Sequence, residues 1–381
     1  MPSTWAEEEP RADLRAFFRQ HRARWCSELL CILPPLLVCV AILLLLTLVL
    51  WPFAYWRRRP TRNDFEREGT RSVPHPRTGA LIEYGSYGPR KGRPVVGLFG
   101  LYSSAALGMD VDVLRRLNLR LVVLGYAGYG LSEPIRRLRL REDTAAAVCA
   151  VADDAFGPGA RFHLVGISWG AALVCKLAGT LLAKRVLSVG VICASGQDPR
   201  WMTEGHLPWR SVDPIVLIYS LLAAMPGIGE TMEYLNSSNP DGGFNAAINE
   251  LRVATKNMYA NGYQDRANEF RHDFTRMRRY CTYGVCEQVR AVLRDDPTID
   301  LARIACPAAV FTNVNTDELP DTVAHADISY HIAAQIPDAT LFCSDCPYGH
   351  VFFGPYWAEV LLCMFGVSPA LCKLLGGESL S

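Results

Sequence analysis

The sequence predicts an α/β protein: a mostly parallel sheet with helices on both faces, preceded by one membrane-spanning helix. Three observations predict it. A run of 28 residues without a charge covers 29–56. Short apolar runs then alternate with helical stretches from about residue 79. The alternation breaks at about 198–300, where helix formers and aromatics take over. Half of the 381 residues are hydrophobic and the mean hydropathy is +0.10, so the chain has ample apolar surface for a folded core. Its 39 basic and 38 acidic residues leave a net charge of +1, which argues against a nucleic-acid binder.

The positive hydropathy is concentrated rather than spread. Residues 1–28 form a tail with five arginines and five acids. Its Leu14, Phe17 and Phe18 sit at helical spacing among arginines, a pattern that fits a membrane surface as well as a solvated tail. Residues 29–56 then exceed the roughly 20 apolar residues that cross a bilayer. The run ends in Trp51, Phe53, Tyr55 and Trp56, followed by Arg57, Arg58 and Arg59. Aromatics followed by basic residues anchor a span at the interface, whereas a signal peptide is shorter and ends at small residues. Arginines flank the run on both sides, so its orientation and compartment stay open. Residues 57–78 are charged and irregular and read as a linker.

In the soluble part, strand-like runs fall at 81–84, 94–99, 119–124, 162–167, 187–193, 308–312 and 339–343. Helical patterns fall at about 105–117, 143–156, 169–184, 321–335 and 355–374. This order predicts a parallel sheet between two helical layers over 79–375. The interruption at 198–300 predicts a helical cap over the C-terminal edge of the sheet, where such sheets bind ligands. The thirteen cysteines are scattered, with a lone Cys343-x-x-Cys346 and no zinc-type pair of pairs. Cys26 and Cys31 are acylation candidates, and Asn236 heads a glycosylation sequon, each meaningful only on the right side of a membrane.

The chemistry centres on Gly166-x-Ser168-x-Gly170. An apolar strand ends at Ile167 and a helix of small and apolar residues starts at Trp169. A serine on so sharp a turn takes a strained backbone, and the two glycines let strand and helix approach. Four further segments accompany it. These are Val95-Val-Gly-Leu-Phe-Gly100-Leu101, Gly128-Tyr-Gly130-Leu-Ser132-Glu-Pro134, Asp317-Glu-Leu-Pro320 after a strand, and Tyr348-Gly349-His350 after the last strand. Together they resemble the α/β-hydrolase family over about 79–375.

The resemblance implies an eight-stranded-type sheet and a triad of Ser168, Asp317 and His350. Ser168 would attack a carbonyl carbon, His350 would shuttle the proton, and Asp317 would orient the imidazolium. Backbone amides of Leu101 and Trp169 would hold the oxyanion. No metal and no cofactor is implied. The acid is the most open position: Asp321, Asp345 and Asp198 also lie near family positions. His163 reads as a strand residue, and His325 and His331 as solvated helix positions. Three residues depart from the family pattern: Phe99 for a histidine, Gly125 for an aspartate and Val314 for a glycine. A serine nucleophile argues against the carboxylate-based chemistry of epoxide hydrolases and haloalkane dehalogenases.

The expected activity is a membrane-anchored serine esterase acting on a lipid, an acylglycerol or a small-molecule ester. A proline-iminopeptidase-like peptidase is an alternative, since Ser168-Trp169-Gly170 is similar to that group's nucleophile turn, but its His-Gly-Gly-Pro-Gly segment is absent. An inactive hydrolase fold serving as a scaffold is the other. The oligomeric state is not readable.

Overall fold

The computed structural model describes residues 61–100, 105, 111–194, 225, 246–265, 267–268, 283–295, 299–314, 326–351 and 357–365, together with 38, 41, 42 and 45. The chain divides into two compact units, Met1–Phe53 and Ala54–Ser381. In the first, Val38, Ala41, Ile42 and Leu45 are helical and exposed. The rest of the predicted span 29–56 lies outside the described residues. Among the described residues no helix is long and apolar enough to cross a membrane.

Among the described residues the second unit has eight strands: β1 (Arg71–Pro74), β2 (Leu81–Tyr87), β3 (Arg93–Leu98), β4 (Leu119–Leu124), β5 (Phe162–Ile167), β6 (Val186–Ile192), β7 (Ala308–Asn313) and β8 (Ala339–Ser344). Their spatial order is β1-β2-β4-β3-β5-β6-β7-β8. The pairs β1–β2 and β2–β4 are antiparallel, and every later pair is parallel. The parallel strands are covered on both faces, so they carry continuous apolar runs rather than alternation. All six residues of β4 are buried.

Alternate residues of each strand serve two cores. Val122, Leu124, Leu164, Val191 and Val310 face one layer, made by α3 (Leu140–Phe156), α4 (Trp169–Ala178), α6 (Tyr283–Arg294) and α7 (Ala326–Gln335). Leu121, Val123, Val165, Ile192 and Phe311 face the other, made by α2 (Val111–Arg116), α8 (Trp357–Met364) and α5 (Ala246–Ala260).

The segment expected as an irregular linker contains two elements. Helix α1 (Arg62–Glu68) starts at Thr61, whose backbone N–H and hydroxyl both donate to Asp64 Oδ2, at 2.7 and 2.8 Å. That is half of a capping box, and the Thr-x-x-Asp spacing was its sequence signal. Gly69, at φ +67°, ends the helix, and its N–H donates to Glu66 O at 3.1 Å. Strand β1 follows as an edge strand on β2. It starts with an arginine and ends with a proline, so it carries no apolar run to notice.

Helix α4 is shorter than the predicted 169–184. It stops before Gly179, and the Thr180 hydroxyl donates to Lys176 O at 2.6 Å instead of extending the helix. The described part of the predicted cap is largely helical, and its two longer helices differ in role. Ala254 and Met258 of α5 pack with Tyr348 and Trp357 at the C-terminal end of the sheet. Helix α6 belongs to the layer beside α3 and α4. Its Ala291 and Val292 enter that core, and Asp295 just beyond it meets Arg141 at 3.0 Å and Lys176 at 3.3 Å.

Candidate active site

Ser168 stands between β5 and α4 at φ +57°, ψ −117°. A side chain there is strained, at a cost of ~1–3 kcal/mol. The surroundings hold it in place. Ser168 N donates to Ile192 O at 2.8 Å, and Ala171 N donates to Ser168 O at 3.0 Å. A Cβ at Gly166 would lie 2.4 Å from Gly170 O, and one at Gly170 would lie 1.7 Å from Leu98 O. The strand, the helix and the end of β3 therefore touch backbone to backbone around Ser168. The hydroxyl does not cap the helix. Ser168 is buried, at 9% exposure, at the N-terminus of α4, where the helix dipole favours negative charge. The amide of Trp169 is the first of that helix.

The end of β3 is held from the loop after β4. Tyr126 is buried and its hydroxyl donates to Phe99 O at 2.7 Å. Burial pushes that phenol well above its usual range, so it stays a donor. Phe99 stands where the family pattern has a histidine, and its ring meets Trp357 edge-on with centroids 6.2 Å apart. Leu101, the proposed oxyanion donor next to it, lies outside the described residues.

The turn at 128–134 is organised by a residue that the sequence reading missed. Glu83 is fully buried on β2. Its carboxylate accepts from Leu131 N at 2.8 Å and from the Thr70 hydroxyl at 2.7 Å. Ser132 Oγ accepts from Glu83 N and donates to Gly125 O, each at 2.9 Å. Gly128 and Gly130 turn the chain at φ +80° and +51°. A Cβ at Gly125 would come within 3.0 Å of Ser132 Oγ and 3.1 Å of Glu83 O. That crowding accounts for a glycine where the family pattern has an aspartate. A charge inside the apolar run Leu81–Tyr84 was the signal for Glu83.

His350 lies half-buried in a single 3-10 turn, Gly349–Val351, beyond β8. The loop before it is held from both sides. Asn313, at the end of β7, bonds to Cys346 and Gly349, and Asn257 of α5 donates to Pro347 O at 2.7 Å. Tyr263 meets Tyr348 edge-on at 6.0 Å. Ser168 and His350 both follow strands of the parallel array at their C-terminal ends. Asp317, Asp321 and Asp198 lie outside the described residues, and Asp345 is exposed in the turn after β8. Val314 continues the β7–β8 pairing, with its N–H donating to Ser344 O at 2.7 Å.

The remaining candidates have structural surroundings. His163 Nδ1 lies 2.7 Å from Ser188 Oγ, and its ring meets Phe365 edge-on. Burial, then the Arg93 charge, pushes its pKa down to about 4, so it is neutral near pH 7. His331 Nε2 lies 3.0 Å from Gln335 on the exposed side of α7, and His325 is outside the described residues. Cys343 and Cys346 are free and pack into cores on opposite faces of the sheet, which accounts for the absence of a bond between them. Cys26, Cys31 and Asn236 fall outside the described residues. Among the described residues no cluster of three or more histidines, cysteines and acids is arranged to hold a metal ion.

No protein-family model and no curated protein matches the sequence. Solved structures do match its fold. An esterase from Rhodococcus sp. is 17% identical, with a TM-score of 0.57 over 78% of this chain and 99% of its own. An enol-lactonase from Burkholderia xenovorans is 17% identical, with a TM-score of 0.55 over 77% and 99%. A bromoperoxidase from Bacillus anthracis is 17% identical, with a TM-score of 0.52 over 77% and 99%. The chain has the α/β-hydrolase fold. In open α/β sheets ligands bind beyond the carboxyl ends of the strands. This chain places Phe99, Ser168, Asn313 and the His350 loop at those ends.

Proposed function

We propose that the chain is a membrane-anchored serine hydrolase that cleaves carboxylic esters, with a lipid or acylglycerol ester as its substrate. The observation that carries the reading is Ser168. It is a non-glycine residue in a left-handed turn, between two glycines whose Cβ atoms would strike backbone. Strain of this kind persists only where the surroundings over-determine it, and it collects at reacting residues.

In this mechanism Ser168 Oγ attacks the ester carbonyl carbon while His350 takes its proton. The carbonyl electrons move onto oxygen, held by the amides of Trp169 and Leu101. Collapse of the tetrahedral species expels the alcohol, which takes the proton from His350, and leaves an acyl-serine. Water then repeats the sequence and releases the acid. Asp317 orients the imidazole and stabilises its charged form. The steps balance with these groups and water alone, and no cofactor enters them.

The names of two similar structures, an esterase and an enol-lactonase, support ester chemistry, a lactone being a cyclic ester. The apolar run at 29–56 and the exposed Val38, Ile42 and Leu45 support the anchor. An anchor at the bilayer would hold the site near acyl substrates. The test is turnover by the full chain in detergent or vesicles. It compares a short soluble ester, a long-chain monoacylglycerol and an aminoacyl-proline peptide. The reading predicts cleavage of both esters, faster for the monoacylglycerol. Cleavage of the peptide alone would favour a peptidase. Cleavage of the short ester alone would remove the lipid substrate.

A further inference from the structure

Asn313 is the last residue of β7 and pairs with Ser344, the last of β8. The residue is 3% exposed. Nδ2 donates to Cys346 O and to Gly349 O, each at 3.1 Å. Oδ1 accepts from Cys346 N at 3.3 Å. An asparagine amide has two N–H donors on one nitrogen and an acceptor beside them. That inventory matches two carbonyls and one N–H on the loop. An aspartate would set carboxylate oxygens against both carbonyls, and an apolar residue would leave all three buried groups unsatisfied.

The bond to Gly349 matters most. Its carbonyl and the nitrogen of His350 belong to one planar peptide unit. Fixing that oxygen fixes the plane from which His350 starts. Gly349, at φ +52°, turns the chain at this point, so the plane is set by a left-handed kink and one buried amide. Asn257 holds Pro347 from the side of α5, which leaves the loop fixed between the sheet and the helix above it.

The geometry points to Asn313 as the positioning residue for His350. It acts through the Gly349–His350 peptide and touches neither substrate nor reacting atoms. This inference rests on the proposed roles of Ser168 and His350. A displacement of about 1 Å at a catalytic group costs roughly 10²-fold in rate, which sets the scale of the effect.

The experiment uses the full chain with Asn313→Asp, Asn313→Ser and Asn313→Ala. Ester kcat, KM, fluorophosphonate labelling rate and melting temperature are read for each, at a temperature where each variant is folded. The expected result is a fall in kcat of about ten- to a hundredfold, with KM within about twofold. Asn313→Ser keeps one donor and retains more kcat than Asn313→Ala. Labelling slows in parallel. A purely structural role would lower the melting temperature and leave kcat per folded molecule unchanged, and that result in any folded variant overturns the inference. If the wild type itself does not label, the reading of Ser168 fails. If the wild type labels and the folded variants label equally fast, the role of Asn313 alone fails.

Discussion

Gly170→Ala puts the geometry of the turn at Ser168 to a quantitative test. The added Cβ would lie 1.7 Å from Leu98 O, 2.3 Å from Leu98 C and 2.8 Å from Phe99 O. Ordinary contact begins near 3.4 Å, so the first overlap is about 1.7 Å deep. The obstacles are backbone atoms of the end of β3 and the residue after it. No side-chain rotamer relieves them, so α4 must move away from β3. Overpacking where side chains can yield costs ~1–3 kcal/mol. With backbone on the far side, the cost lies at or above the top of that range. Alanine returns ~1 kcal/mol through its better helix propensity. The net loss is therefore at least about 2 kcal/mol. For a domain of this size that lowers the melting temperature by roughly 3 °C or more.

Activity should fall further than stability, because Ser168 lies two residues away and moves with the helix. Gly79→Ala is the control. Unlike the helical Gly170, it stands at positive φ, +71°, and no atom lies within 4 Å of the new Cβ. Its cost is backbone strain alone, ~1–2 kcal/mol, and its kcat stays at the wild-type value. The assays are thermal unfolding and ester turnover on both variants. A Gly170→Ala protein that melts within 1 °C of wild type with full activity would refute the close approach of strand and helix.

Three further outcomes are expected. Ser168→Gly removes a side chain from φ +57°, so it should raise stability by about 1 kcal/mol while abolishing turnover; a melting temperature below wild type would contradict the strain. Glu83→Ala leaves Leu131 N and the Thr70 hydroxyl without their acceptor, and should cost about 2–3 kcal/mol in urea unfolding, with a loss under 0.5 kcal/mol contradicting the role of Glu83. His163 has a folded-state pKa pushed down to about 4 from 6.5. Between those values the unfolded chain binds a proton that the native chain does not, so stability present above pH 6.5 is lost as pH falls towards 4. His163→Gln should flatten that part of the stability–pH curve, and an unchanged slope would count against a neutral buried imidazole.

The central strands were legible because their burial on both faces writes continuous apolar runs, as in Leu119–Leu124 and Phe162–Ile167. The edge strand β1 was not, because Arg71-Ser-Val-Pro74 pairs on one side only and needs no such run. Ser168 was legible because the constraint on it is local: two glycines, one strand and one helix, all within a few residues. The role of Glu83 depends on a turn 48 residues away, and that of Asn313 on a loop 33–36 residues away. No spacing along the chain announces such contacts. Gly125, a departure from the family pattern in sequence, follows from the crowding by Ser132 and Glu83.

The most direct test is chemical. The full chain is treated with a fluorophosphonate probe and digested, and the modified residue is located by mass spectrometry. The account predicts one modification, on Ser168, abolished by Ser168→Ala and strongly slowed by His350→Ala. A folded wild-type chain that stays unmodified, or that is modified equally in Ser168→Ala, would contradict it.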